Sequence, residues 1–436
     1  MNFPSNKKNF NLTLPFRTGG EKLLQYIWQF QYFNKSELQT TAGEKLQIIF
    51  PGKLNSGQGP DFTNAQIKID NTTLAGSIEL HLKASQWNEH GHSNDANYKN
   101  VILHVVFEND LSKSSVPVLE LQSRVSNLLL DRYSALMHAG SFIPCANAVS
   151  EVKEIVWLSW KERLLAERLT RKASIVFKFL EESNAHWEET FWWMLARNFG
   201  MKVNSEAFEL MAKTVSVNIL AKHKHQIHHL EALLFGQAGL LEENFTEDYP
   251  KLLQREYLFL KKKYDLRSIH NPVHFLRMRP GNFPTIRLSQ LAALIQNSAH
   301  LFSKILEIEK LPEVKKLFDI TANDYWHYHY RFDEASSFKK KTIGKNMIDN
   351  VIINTIVPVL FAYGLYHKEE KYKNKAVLWL EELPPEANVI TKGFAGLKLS
   401  NQSAFDSQSF IELKTQYCDG RHCLRCAVGN ALLKTI

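Results

Sequence analysis

The sequence predicts an α/β N-terminal domain, a mixed sheet flanked by helices, over residues 1–145. A mostly α-helical second domain is expected over 146–416, and a small cysteine knuckle over 417–436 packs back on the body. Three observations carry this reading. Short runs resembling strands, separated by turn residues, fill most of the first 110 residues. From Val152 onward the apolar period lengthens to that of helices. Three of the four cysteines lie together between Cys418 and Cys426.

Residues 20–33 read as a helix, because Leu23, Leu24, Ile27, Trp28 and Phe33 are spaced for one face. Residues 45–50 form the first β-like run, and a Gly-rich loop follows over 51–60. Residues 64–69 alternate and stop at the Asp70-Asn71 turn, and 74–83 and 101–107 supply two more strands. A helix is expected over 118–137, just after Pro117. Residues 151–182 have long helical periodicity with many charges. Helices then dominate to about 308 and again over 342–365, and Pro384-Pro385 breaks the pattern. No internal repeat is visible.

With 436 residues, 44% of them hydrophobic, the chain has apolar material for two or three packed units, which excludes global disorder. The formal charge of +8 permits a nucleic-acid partner without demanding one. Residues 1–16 contain no continuous apolar core of signal-peptide type, so a cytoplasmic location is expected. The most membrane-like stretch, 351–366, contains Asn354 and Pro358 and is short for a span of roughly 20 residues. It reads as a buried helix, and no membrane association is expected. In a reducing compartment the cysteine cluster suggests metal binding more than disulfides.

The chemistry centres on Gly57-Gln58-Gly59-Pro60-Asp61-Phe62 and on Gly76-Ser77-Ile78-Glu79-Leu80-His81-Leu82-Lys83. Asp61 ends the Gly-rich loop just before a strand. Glu79, His81 and Lys83 recur at period two and share one face, while Ile78, Leu80 and Leu82 point into a core. Such a row has two readings. It is an ordinary solvated face, or it is a set in which Asp61 and Glu79 hold a divalent ion, since buried charges are costly unless paired or metal-bound. Mg²⁺ or Mn²⁺ there lowers the pKa of a bound water and polarises a phosphate oxygen, with His81 or Lys83 stabilising the charge that develops.

The element order and the Pro60-Asp61 … Glu79-x-His81 pattern resemble the PD-(D/E)xK phosphodiesterase superfamily, the restriction-endonuclease-like fold, over residues 20–130. The resemblance implies a helix, a β-meander whose second and third strands bring the acids together, then a helix and another strand. It places metal binding at Asp61 and Glu79 and implies a nuclease acting on DNA or RNA. One departure stands out: His81 occupies the position of the pattern's Lys, and histidine is often neutral near pH 7. Lys83 on the same face is one substitute. His81 as a metal ligand is another answer, favouring Mn²⁺ or Zn²⁺ over Mg²⁺. A third is a degenerate site on a fold that serves as a nucleic-acid- or protein-binding module.

Over nearly its whole length the chain also resembles the bacterial family called domain of unknown function 2851. The matching residues are Gly59-Pro60-Asp61-Phe62, Glu79-Leu80-His81, Trp87, the His90-x-His92-x-x-Asp95-x-x-Tyr98 run with residues 100–104, Arg279-Pro280-x-Asn282-x-Pro284, and the C-terminal cysteines. This resemblance implies no established activity.

Further candidates follow along the chain. His90 and His92 lie in a polar, turn-rich stretch; they contact a phosphate or metal, with Asp95 orienting one of them, or are solvated loop residues. His104 gains a role only if its strand neighbours the Glu79 strand. Glu21 is a third carboxylate or a helix-dipole acid. Arg277, Arg279 and Arg287 suit phosphate contacts, or form a structural turn. His223, His225, His228 and His229 have metal-compatible spacing but no anchoring carboxylate. Cys418-x4-Cys423-x2-Cys426, with Cys145 or His422 as fourth ligand, fits structural Zn²⁺ or an iron–sulfur cluster, or else is a set of reduced thiols. A metalloprotein with only that site is the remaining alternative.

Overall fold

The computed structural model describes residues 20–55, 57–267, 273–298 and 300–434. Residues 1–16, read above for a signal-type run, lie outside them. The described chain forms two compact units. One runs to Trp160 and takes in the residues from Leu413 onward; the other is Lys161–Glu412.

The first unit opens with helix α1, Gly20–Phe30, whose Leu23, Leu24, Ile27 and Trp28 are buried. It stops short of residue 33 because Gln31 takes a left-handed φ of 55°. There the Tyr32 N–H bonds back to the Ile27 carbonyl at 2.9 Å, a usual way to end a helix. Phe33 still reaches the core by stacking on Trp28 at 5.9 Å.

Six strands form one mixed sheet: β1 Leu46–Phe50, β2 Lys53–Leu54, β3 Phe62–Ile69, β4 Thr72–Lys83, β5 Val101–Glu108 and β6 Val118–Glu120. The order is β1-β3-β4-β5-β6, with β2 paired to β3. The β1, β2, β3 and β4 pairings are antiparallel; β4–β5 and β5–β6 are parallel. Gly76 permits the close approach where β4 meets the start of β5: a Cβ there would lie 2.5 Å from the Asn100 carbonyl oxygen.

One expectation is corrected here. Residues 118–120 are strand, not the start of a helix, because Val118 and Leu119 pair with His104 and Val105 and are buried at the sheet's edge. The helix, α2, is Asn127–His138.

Ile78 and Leu80 of β4, Leu103 and Val105 of β5, and the apolar faces of α1 and α2 share one core. The C-terminal segment belongs to it through Cys423 and Leu433. Arg421 donates to the carbonyls of Leu136, Met137 and Ala139, and Arg132 Nη1 to that of Leu432 at 3.3 Å.

Among the described residues, the regular structure of the second unit is helical apart from a small hairpin, His329–Arg331 with Glu334–Ala335, and an isolated bridge between Thr321 and Thr342. Its most apolar run, Lys345–His367, is long and apolar enough to cross a membrane by length and composition, yet most of it is buried. A π-helical turn, Ile352–Ile356, interrupts this run. In the aromatic stretch after Asp324, Trp326 is a core residue with no exposed surface.

Candidate functional site

The meander brings the two predicted acids together. Asp61 follows Gly59, which has a φ of 102° that favours glycine, and Pro60. The Asp61 N–H donates to Glu79 Oε2 at 3.0 Å, and Asp61 Oδ2 accepts from the Leu80 N–H at 3.0 Å. Gln25 of α1 donates to Asp61 Oδ1 at 2.7 Å. Each carboxylate is thus held by the backbone of the neighbouring strand.

Glu79 is only 6% exposed, so the face it shares with His81 is not a solvated one. Burial, then the Asp61 charge, pushes the Glu79 carboxyl up to about 8. Burial pushes Asp61 up to about 6, against the hydrogen bonds from Leu80 and Gln25. The Glu21 charge raises both. Among the described residues no Lys or Arg forms an ion pair with either acid; the neighbours of Glu79 Oε1 are histidines.

Glu79 Oε1 lies 3.6 Å from His81 Nε2 and 3.5 Å from His92 Nε2. His81 Nε2 is 3.1 Å from His90 Nδ1, and His81 Nδ1 is 2.9 Å from His104 Nε2. His104 is in place because β5 runs parallel to β4 with His104 opposite Glu79. Ligand atoms of His81, His90 and His92 all fall within 4.8 Å of one another.

The loop that returns His90 and His92 to β4 is tightly wound. A single helical turn, Gln86–Glu89, leads to Gly91 at φ 71°, then to 3₁₀ turns His92–Asn94 and Ala96–Tyr98. Tyr98 stacks on His92 at 3.8 Å, and Trp87 meets the same ring edge-on at 5.5 Å. Asp95 caps the last turn by accepting from the Asn97 N–H at 2.9 Å; it reaches His92 through charge.

Burial drives His81 down to about 3 and His104 to about 4, and lowers His92; neighbouring imidazoles add to each effect. These rings are therefore neutral near pH 7, the form that ligates metals. His92 Nε2 is buried and has no hydrogen-bond partner, although a carboxylate oxygen stands 3.5 Å away. Raised acids, neutral imidazoles and an orphaned ring nitrogen together fit a cation.

A family model described as protein of unknown function (DUF2851) matches residues 21–389. The chain belongs to this family. No curated protein and no solved structure matches it. In this DUF2851 chain the matched stretch contains the whole Asp61, Glu79 and histidine set and ends before the C-terminal cysteines.

Other predicted residues of the DUF2851 chain lie elsewhere. Lys83 acts on Asp110, whose carboxyl, despite burial pushing it up, is held low by the Ser85 hydroxyl and N–H and by the Lys83 charge. Arg277 and Arg279 are exposed. Arg287 is buried, donating to Gln290 Oε1 at 2.8 Å and Asn282 Oδ1 at 2.5 Å, and burial pulls its guanidinium down to about 10. His223 pairs with His229 at 2.9 Å, and His229 does have a carboxylate, Glu256, at 3.3 Å.

Cys145, Cys418, Cys423 and Cys426, together with His422, line one cavity of about 10 Å³. All four thiols are free and pushed up, first by burial and, for Cys145, Cys418 and Cys423, next by one another.

Sequence reasoning missed Gln25. It lies one helical turn beyond Glu21, and that spacing on α1 was the available signal.

Proposed function

We propose that the chain is a divalent-metal-dependent phosphodiesterase acting on DNA or RNA, built on the restriction-endonuclease-like plan in its N-terminal sheet. The observation that carries the reading is the convergence of Asp61, Glu79, His81, His90 and His92 on one spot, buried at Glu79 and His81 and open to solvent at His90, where no Lys or Arg among the described residues pairs with the acids. The order of helix, meander and parallel strand supports the fold assignment, and the net positive charge supports a nucleic-acid partner.

Glu79, His81, His90 and His92 hold the ion, with Asp61 completing the acidic side. Three imidazoles favour Mn²⁺ or Zn²⁺ over Mg²⁺. His81 is then a ligand in its own right, not a failed lysine. When bound, the ion lowers the pKa of a coordinated water and polarises a phosphate oxygen. Around it, Gln25 and the Leu80 N–H fix the Asp61 carboxylate. In the tautomer that ligates, His81 Nδ1–H donates to His104 Nε2, which leaves the lone pair of His81 Nε2 for the ion. Trp87 and Tyr98 pack on His92 and shield the spot from bulk water.

The test is cleavage of single-stranded DNA, duplex DNA and RNA by the purified protein with Mn²⁺, Mg²⁺ or Zn²⁺. Mn²⁺-dependent cleavage is expected, with Glu79→Gln and Asp61→Asn each slower by on the order of 10²-fold. Cleavage that survives both substitutions overturns the assignment.

A second reading concerns the cysteines and rests on their shared cavity. Cys145, Cys418, Cys423 and Cys426 hold a structural Zn²⁺ ion or an iron–sulfur cluster. Metal analysis of the wild type against Cys423→Ser checks this, and visible absorption separates the two metals. Unchanged metal content in the variant removes the site.

A further inference from the structure

The helical unit contains a cavity of about 600 Å³ that the phosphodiesterase reading does not use. Four cations line it: Lys172, Arg197, Lys202 and Arg287. Among the described residues no Asp or Glu lines it. Of the four cations, among the described residues, only Arg197 has an ion-pair partner, Glu209, from outside the lining; Glu386 and Glu412 reach Lys172 through charge alone. Arg287 is 6% exposed, and its hydrogen-bond partners, Gln290 and Asn282, are neutral amides. A buried guanidinium without a carboxylate is costly, so an anion is the missing complement.

The remaining lining says more about the ligand. Asn198, Asn282, Asn346, Asn350 and Asn354 present amides that both donate and accept. Three buried lining atoms have no hydrogen-bond partner: Arg287 Nε, a donor, Asn198 Oδ1, an acceptor, and Thr355 Oγ1, which is either. Thr355 and Asn354 sit on the π-helical turn Ile352–Ile356, a distortion that recurs at functional sites. An anion without a hydrogen to donate, such as sulfate, satisfies Arg287 but offers nothing to Asn198 Oδ1. The cavity is also far larger than one phosphate. The ligand therefore combines an anionic end with hydroxyl or amino groups.

We propose that this cavity binds a nucleotide-sized phosphate ester, its phosphate on Arg287, Lys172 and Lys202 and its polar organic part on the asparagines and Thr355. Arg is suited to bidentate phosphate contact, and Lys172 is already held at the wall by Asn354 Oδ1 at 2.8 Å.

The experiment is titration calorimetry of the full chain with the four ribonucleoside diphosphates, in EDTA so that the carboxylate–histidine site takes no part. Adenosine and citrate serve as controls for the organic part and for charge. At least one diphosphate is expected to bind, adenosine and citrate not to, and Glu79→Gln to bind as the wild type does. Lys202→Glu and Asn350→Asp, both at exposed positions and so spared as folding variants, are expected to weaken binding at least about tenfold. Failure of all four diphosphates to bind at millimolar concentration overturns the proposal. So does equal binding of citrate, or affinity unchanged in both variants.

Discussion

Each unit buries a glutamate, and the two are handled in opposite ways. In the helical unit Glu231 has no exposed surface; it accepts from the Tyr249 hydroxyl at 2.7 Å and from Trp326 Nε1 at 3.1 Å. In the sheet unit Glu79 has one oxygen on the Asp61 N–H, while the other faces neutral imidazoles beside a second acid. Burial raises both carboxyls, but only Glu231 has fixed side-chain donors pulling it back. A buried acid with its own donors is part of the core. One set against another acid and three histidines has no such donors, and the proposed metal ion would supply the missing positive charge.

The largest effect that sharpens this contrast is on catalysis. Glu79→Gln is expected to slow Mn²⁺-dependent cleavage by on the order of 10²-fold, while Glu231→Gln leaves kcat within about twofold. Equal losses in the two variants break the comparison. Next comes stability. Glu231→Leu strands the Tyr249 and Trp326 donors in the core and is expected to cost about 1–3 kcal/mol for each, read from urea unfolding.

A smaller effect is the pH dependence of Glu231. Its folded-state carboxyl is pushed up by burial to about 7, above the ordinary 4.5. The folded state therefore binds the proton more tightly than the unfolded chain. The resulting stability is present below about 4.5 and is lost as pH rises through about 7. Glu231→Gln, which keeps an acceptor, is expected to flatten the fall between these values in unfolding titrations. Smallest is Lys83→Met. Its charge serves Asp110, so cleavage is expected to change by less than about threefold; a loss as large as that of Glu79→Gln returns Lys83 to the centre.

Part of this site was legible in the sequence because it is local. The period-two row placed Glu79 and His81 on one face, and the Gly59-Pro60-Asp61 loop marked the second acid. What escaped depends on long-range pairing. His104 matters only because β5 lies parallel to β4, and no local pattern states that register. Lys83 shares the face of Glu79 by periodicity, yet it forms no ion pair with Asp61 or Glu79, and its charge acts on Asp110. Residues 118–120 read as the start of a helix, whereas pairing with β5 makes them a strand. The cavity of the helical unit was invisible because its asparagines come from several separate elements. Of its cations, Arg287 had been singled out, but its burial depends on tertiary packing.

The sheet unit is finished by residues that follow the entire helical unit in the chain. During synthesis α2 emerges long before Arg421 and Leu433 exist to cover it. Cys145 waits roughly 270 residues for Cys418, which at ordinary translation rates is on the order of 10–50 s. The usual order of domain completion is thereby reversed: the helical unit can finish folding while the unit that began first still exposes an apolar helix face and an unaccompanied thiol.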